Sequence, residues 1–307
     1  WRRISCFWAI SDPFFWGTYP RMFSENSAAL GGIADQLSPR KGVVLMTQNP
    51  PLQTNHEFLG RGVDYLGFLG TQLRNLRGFT TLAYELIQNA DDTEGASEMR
   101  FHFSPRALVV DNDGVFSDCG QVSADQCPWL EERGSRCDFH SFRLVAGGEK
   151  RGRADTTGAF GVGFLAVYQV TDHPELISQN RHWVLDENQP EDRRIRVCPG
   201  CPTCKTGDLP GTRFILPWAL DAGSPIRVRL QVDAITHEAI TEFSQELLKS
   251  LPTAMLFLRR LTRIEILNNG DHIESFERII DQNQVLIAKG TKTDHWFLIQ
   301  DNFDDKA

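Results

Sequence analysis

Several things are missing from this chain, and each absence removes a class of protein. No apolar run in its 307 residues approaches the roughly 18–20 residues of a membrane span, so no spanning helix is expected. Positive charge is short: 32 Lys and Arg stand against 40 Asp and Glu, a formal net charge of −8. That balance argues against nucleic acid as a partner of the whole surface. The local basic runs Lys150–Arg153, Arg193–Arg196 and Arg259–Arg263 read as solvated faces. Seven cysteines are too few for a disulfide scaffold in a chain this long, and a reducing, cytoplasmic setting is expected. There is no internal repeat. There is no clean signal-peptide core either, because Asp12-Pro13 interrupts the one candidate. Trp, Phe, Pro and Arg are scattered without period between Ile4 and Phe23. Residues 1–55 are therefore expected to be a poorly ordered leader or a gene-model artefact, with translation beginning at Met22 or Met46.

Periodicity appears from residue 63 onward. Leu66, Leu69, Leu73 and Leu76 recur at helical spacing, Gly78 breaks the run, and Thr80 or Thr81 is expected to cap a second helix. In that helix Leu82, Glu85, Leu86 and Asn89 obey the i, i+3, i+4, i+7 rule, which sets Glu85 and Asn89 one turn apart on one face. Met99–Phe103 and Ala107–Asp111 flank Ser104-Pro105-Arg106 and read as a hairpin. A short helix is expected at Phe139–Val145 and another from Gly161 to Val170. The stretches TDHPELIS and RHWVLDEN suggest strands and turns. Pro210–Trp218 reads as a buried strand, Ile240, Phe243, Leu247 and Leu251 as one face of an amphipathic helix, and Leu261–Leu267 as a strand.

Three stretches carry chemistry. In ELIQNADD (Glu85–Asp92) a carboxylate can take a proton from water, and an amide oxygen can hold a hard cation such as Mg²⁺. A helix ending in polar residues would look the same. In GAFGVGF (Gly158–Phe164) the glycines at 158, 161 and 163 let a ligand approach the backbone. A helix starting near Gly161 would aim unpaired N–H groups at one spot, which suits a phosphate. Tight packing also produces such loops, and this one lacks the preceding strand and the GK[ST] ending of other nucleotide folds. In DNDGVFS (Asp111–Ser117) a carboxylate at a strand end can accept a hydrogen bond from an exocyclic amino group, or close an Asx turn with no ligand.

ELIQNADD, DNDGVF, GAFGVGF and PGTRFIL, in this order and at these separations, resemble the nucleotide-binding (Bergerat) domain of the GHKL ATPases. QNADD, FGVGF, HWVLD and the TD-x-P-x-x-IS stretch (Thr171, Asp172, Pro174, Ile177, Ser178) resemble its sacsin branch, whose ATPase domain is similar to that of the ninety-kilodalton heat-shock chaperone. The resemblance covers residues 60 to 265. It implies an α+β fold, a two-layer α/β sandwich of Bergerat type with a mixed, largely antiparallel sheet, helices on one face and an ATP lid. It assigns residues 56–260 to the ATP-binding domain and 261–307 to the start of a following domain or a C-terminal extension. Carried over residue by residue, it implies Glu85 as the general base, Asn89 as the Mg²⁺ ligand and Asp92 as their polar partner. Asp111 matches the adenine-binding aspartate. The family pattern D-x-G-x-G reads here Asp111, Asn112, Asp113, Gly114, Val115, so both glycine positions are altered, and Asp113 becomes the partner if the strand slips. Gly158, Phe160, Gly161, Val162, Gly163 and Phe164 match the second glycine box, Thr212 the threonine supporting the adenine pocket, and Lys150 the lid segment, as a phosphate contact or a solvated lysine.

One cluster lies outside the family pattern. CPGCPTC spaces Cys198, Cys201 and Cys204 as C-x-x-C-x-x-C, which can wrap a zinc ion given a fourth ligand from Cys137, Cys127 or His182. Free surface thiols and a redox role share that spacing. The function expected from the resemblance is binding of ATP and Mg²⁺ and slow hydrolysis as a conformational switch with a chaperone-like role. A client or partner protein and ATP-dependent dimerisation would accompany it. A nucleotide sensor without turnover, or a DNA-transaction or defence ATPase, are the alternatives. A histidine kinase is disfavoured, because His56-Glu57 lacks the following proline and Glu85 points to water as acceptor.

Overall fold

A computed structural model of the chain describes residues 64–144, 163–204, 211–281 and 284–297. The expected leader, Lys150, and Gly158, Phe160, Gly161 and Val162 of the second glycine box lie outside the described residues, as does the segment expected to form a lid. Helix α1 (Tyr65–Asn75) buries Leu66, Leu69 and Leu73. Helix α2 (Phe79–Asp91) buries Leu82, Ala83, Leu86, Ile87 and Ala90, which leaves Glu85 and Asn89 on a half-buried edge. The expected threonine cap is replaced by Gly78 at φ +107°, a backbone angle that glycine adopts without a Cβ clash. Thr80 and Thr81 fall inside the helix. Strands β1 (Glu98–Phe103) and β2 (Ala107–Asn112) then form the expected hairpin. Its turn is closed by Ser104 Oγ donating to the Ala107 carbonyl at 2.7 Å.

Two short helices come after the hairpin, α3 (Pro128–Arg133) and α4 (Asp138–Phe142). Gly163–Gln169 is a 3-10 helix rather than an α-helix. Strands β3 (Glu175–Ser178), β4 (Arg181–Leu185), β5 (Ile195–Val197) and β6 (Thr212–Pro217) come next. Helix α5 (Pro225–Leu230) precedes α6 (His237–Met255), which Thr236 caps by accepting from the Ala239 amide at 3.1 Å. The last strands are β7 (Arg263–Asn268), β8 (Asp271–Asp281), β9 (Gln284–Lys289) and β10 (Lys292–Phe297).

The ten strands among the described residues form one open sheet in the order β10-β9-β8-β7-β1-β2-β6-β3-β4-β5. The β1–β7 pair is parallel and the others are antiparallel. Residues after 261 thus add four strands to the sheet that carries β1 and β2. Alternation gives the sheet two unlike faces. Met99, Phe101, Phe103, Val110, Phe214, Leu216, Ile264 and Ile266 are buried on one face. There Phe243 of α6 meets Phe103 edge-on, ring centroids 5.4 Å apart, and stacks on Phe79 of α2 at 5.0 Å. The other face is polar around β1 and β7, where Arg100 pairs with Glu265 at 2.8 Å. What stands is a mixed α/β structure with a mostly antiparallel sheet.

The helices are held by close approach and by one buried ion pair. A Cβ on Gly70 of α1 would come within 2.7 Å of the Leu230 carbonyl oxygen of α5, so glycine there lets the two helices touch. Arg227 of α5 is 1% exposed. Its Nε donates to Asp172 Oδ1 at 2.6 Å, and its Nη1 to the carbonyls of Gln169 and Asp233. Removing one partner strands the other charge in the interior. Asp172→Ala is expected to lower unfolding free energy by about 3–5 kcal/mol, read from urea denaturation. A loss below about 1 kcal/mol, the ceiling for an exposed pair, would contradict this account.

Candidate functional site

The ends of β2, β6 and β3 lie side by side, and their register decides which polar side chains share a face. Asn112 stands opposite Met99 on one side and Thr212 on the other, and Thr212 stands opposite Ser178. Met99 belongs to the buried, helix-bearing face, so Asn112, Thr212 and Ser178 line that face. Thr212 and Ser178 share a hydrogen bond of 2.9 Å between their hydroxyls, and Ser178 Oγ also accepts from the Phe116 amide at 3.0 Å. All three side chains are buried. Asn112 Oδ1 is buried too, with no hydrogen-bond donor among the described residues.

Asp111 points the other way. It stands opposite Arg100 and Arg213, on the face away from the helices, and both its oxygens are taken by Arg213: Nε to Oδ1 at 2.6 Å and Nη2 to Oδ2 at 2.8 Å. The bidentate bond raises the Arg213 pKa despite burial. Asp113 is also engaged. Its carboxylate accepts from the amides of Ser97 and Glu98, at 2.8 and 2.9 Å, and from Ser97 Oγ at 2.6 Å. Burial raises its pKa, but these donors outweigh burial and hold the carboxyl below its ordinary value. Gly114 is required by packing, since a Cβ there would meet Thr93 Cγ2 at 2.6 Å and Ala96 Cβ at 3.0 Å. Gly211 is required as well, because its Cβ would overlap the Asn112 carbonyl. That contact seats Gly211, just before β6, on the DNDG stretch.

The helix side contributes the second half. A Cβ on Gly163 would overlap Glu85 Oε2, so the absence of a side chain at the end of the second glycine box makes room for the Glu85 carboxylate. Asn89 lies one turn later, and its carbonyl accepts from Thr93 Oγ1 at 2.9 Å. Phe164, next to Gly163, packs on Phe142 and Phe214 with ring centroids 4.8 and 5.1 Å away. It thereby links the glycine box to β6, two residues from Thr212. Asp92 sits away from this convergence, paired with Arg259 at 3.2 Å. Asp91 is buried and accepts from the amides of Arg259, Arg260 and Leu261 at 2.7–3.1 Å. It anchors the end of α2 to the turn before β7. The structure therefore brings Glu85 to Gly163 and Asn112 to Thr212, and turns Asp111 outward. Asn112 was already among the residues expected at the adenine contact, within the DNDG stretch, whereas the place of Ser178 beside Thr212 follows from the register of β3 against β6.

The cysteine stretch folds into a cage. Of the three expected fourth ligands, His182 is the one beside Cys198, Cys201 and Cys204, with all ligand atoms within 4.8 Å of one another. Its Nδ1 faces Cys204 Sγ at 3.1 Å and Cys201 Sγ at 3.5 Å. Its Nε2 lies 2.7 Å from Glu175 Oε2. A carboxylate on the far ring nitrogen is the usual way a ligating histidine is oriented. Cys127 and Cys137 belong to a different group of four, with Cys119 and His140.

Known proteins share part of this sequence. Residues 69–199 match the Sacsin domain family model, a span running from α1 through the Cys198 strand end. Over 127 residues the chain is 36% identical to Sacsin of Homo sapiens, covering 41% of this chain and 3% of that protein. This part of the chain is sacsin-like. A second relative, Protein NO VEIN of Arabidopsis thaliana, is 27% identical over 256 residues, which is 80% of this chain and 8% of that protein. The chain spans a small fraction of the length of both relatives. The sacsin-like stretch includes Glu85, Asn89, Asn112 and Gly163. Thr212 and the last two cysteines of the cage lie beyond the family match. No helix among the described residues is long and apolar enough to cross a membrane.

Proposed function

We propose that the chain binds an adenine nucleotide with Mg²⁺ between α2 and the ends of β2, β6 and β3. We propose further that it hydrolyses the nucleotide slowly as a chaperone-like conformational switch. The observation that carries this reading is the unpartnered Asn112 Oδ1. A buried acceptor without a donor costs about 1–3 kcal/mol, and a ligand donor at this position would remove that cost. Set on Asn112, the family pattern D-x-G-x-G reads Asn112, Asp113, Gly114, Val115, Phe116. In that register its first glycine falls on the position where packing demands one. Asn112 then takes the place of the aspartate as acceptor for the exocyclic amino group, with Thr212 and Ser178 beside it.

Glu85 would act as the base, taking a proton from the attacking water, and Asn89 would offer its amide oxygen to Mg²⁺. Mg²⁺ held by Asn89 would neutralise charge on the phosphates, and the backbone amides of the second glycine box would cradle them. The glycine at 163 lets the phosphate-side backbone lie against the base. Output by shape rather than flux fits slow turnover, with a lid closing over the nucleotide and biasing partner contacts or dimerisation.

Glu85→Ala is expected to keep nucleotide affinity while losing Mg²⁺-dependent turnover by about 100-fold or more. An ATPase assay beside calorimetric binding reads both, and unchanged hydrolysis sinks the assignment. Nucleotide binding without any turnover in the wild type would instead favour a sensor. On the adenine side, Asn112→Leu should weaken ATP binding about tenfold or more, whereas Asp111→Asn should alter stability and leave affinity within about twofold. The reverse ranking would return the adenine contact to Asp111.

We also propose that His182, Cys198, Cys201 and Cys204 hold a structural zinc ion, with Glu175 orienting the imidazole. Cys201→Ser/Cys204→Ser should remove one equivalent of zinc from protein purified without chelator. Zinc content that does not change would dismiss that cage.

A further inference from the structure

Four side chains that the nucleotide site does not use meet behind the loop that leaves β2. Cys119 lies in that loop, Cys127 and Cys137 are the residues preceding α3 and α4, and His140 lies within α4. We propose that Cys119, Cys127, Cys137 and His140 form a second structural zinc site, which pins the adenine-side loop to α3 and α4.

The geometry is that of a ligand shell. All four ligand atoms lie within 4.8 Å of one another. His140 Nδ1 faces Cys137 Sγ at 3.4 Å and Cys119 Sγ at 3.5 Å. The edge of a tetrahedron built on a zinc–sulfur bond of about 2.3 Å is about 3.8 Å, so a zinc ion fits this set with small adjustment. The Cys137 amide donates to Cys127 Sγ at 3.4 Å, which favours a thiolate there. Cys127, Cys137 and His140 are 4%, 1% and 2% exposed. A buried cysteine alone is an ordinary small apolar residue. A buried imidazole whose ring nitrogen faces two sulfurs is not an ordinary apolar contact, since a core histidine normally finds a carbonyl or carboxylate.

The segment between Cys119 and His140 also needs such a tie. Helix α3 has six residues and buries none of them, and α4 has five. Helices that short do not persist on their own hydrogen bonds. A metal closing the intervening loops would supply the missing cross-link, because binding free energy at such a site is folding free energy. The same segment steers the loop beside Asn112. Asp138 Oδ2 accepts from the Ser117 amide at 2.9 Å, and Arg181 grips Asp118 with two bonds of 2.7 and 2.8 Å. Phe139 packs against Trp183 of β4 on the helix-bearing face, ring centroids 5.0 Å apart. His182, opposite Ile177 and so on the row of Arg213, carries the other cage on the outer face. The β3–β4 hairpin would thus be clamped from both sides by metal-tied loops.

The test needs no nucleotide, so its failure is separable from failure of the ATPase reading. The 307-residue chain, produced with zinc in the medium and purified without chelator, is expected to carry two equivalents by plasma mass spectrometry. Cys127→Ser/Cys137→Ser and Cys201→Ser/Cys204→Ser should each carry one. His140→Cys, which offers a fourth thiolate, should keep two, and His140→Ala should fall to one. If the serine variants fail to fold, Co²⁺ titration of the reduced wild-type protein decides. Saturation at two ions per chain with thiolate-to-cobalt absorption supports the second site. One equivalent in the wild type, unchanged by Cys127→Ser/Cys137→Ser, or cobalt saturation at one ion that His140→Ala leaves unchanged, overturns it.

Discussion

Successive side chains of a β-strand point to opposite faces, and at the last two residues of β2 that constraint separates a structural carboxylate from a candidate ligand group. Asp111 goes to the outer face and is satisfied there by Arg213. Asn112 goes to the helix-bearing face, beside Thr212 of β6 and near Ser178 of β3. A one-residue slip of β2 would exchange these roles, placing a carboxylate under the helices and stranding Arg213. The bidentate Asp111–Arg213 pair opposes that slip, and so does the grip of Asp113 on the Ser97 and Glu98 amides. The two aspartates of DNDG therefore serve to hold the strand, and the asparagine between them carries the buried oxygen to which the proposed ligand contact is assigned.

The rest of the candidate site is arranged by close approach rather than by strong bonds. Gly114, Gly163 and Gly211 each stand where a Cβ would strike a neighbour, respectively Thr93 after α2, the Glu85 carboxylate, and the Asn112 backbone. Three glycines thus let four separated stretches of chain converge. Phe164, Phe214, Phe142 and Phe116 fill the space beneath them. Cores packed this densely transmit displacement, which suits a pocket whose proposed output is a change of shape.

The two groups of cysteine and histidine each join a connecting segment to a regular element, Cys119, Cys127 and Cys137 to His140 of α4, and Cys198, Cys201 and Cys204 to His182 of β4. The first group includes Cys119 of the loop that leaves β2, and the second lies on the outer face of β4. Sacsin and NO VEIN are far longer proteins. The likeness therefore speaks for the framework of this region, and their partners stay their own.

Much of the fold was legible in order. Leucine spacing marked α1, the β1–β2 hairpin was bounded by Ser104-Pro105-Arg106, and Phe243, Leu247 and Leu251 marked the buried stripe of α6, because these elements are specified by local periodicity. The start of α2 was misplaced, since a glycine rather than a threonine precedes it. The parallel pairing of β1 with β7 was invisible, as the partners are separated by more than 160 residues. At the site, sequence alone singled out Glu85 and Asn89, the glycine at 163 and the CPGCPTC ligands, each from residue type and short spacing. Tertiary structure decided that Asp111 faces away from the helices, that His182 completes the CPGCPTC group, and that Cys119, Cys127, Cys137 and His140 meet. Those facts depend on strand register and on contacts between distant segments, which no local pattern encodes.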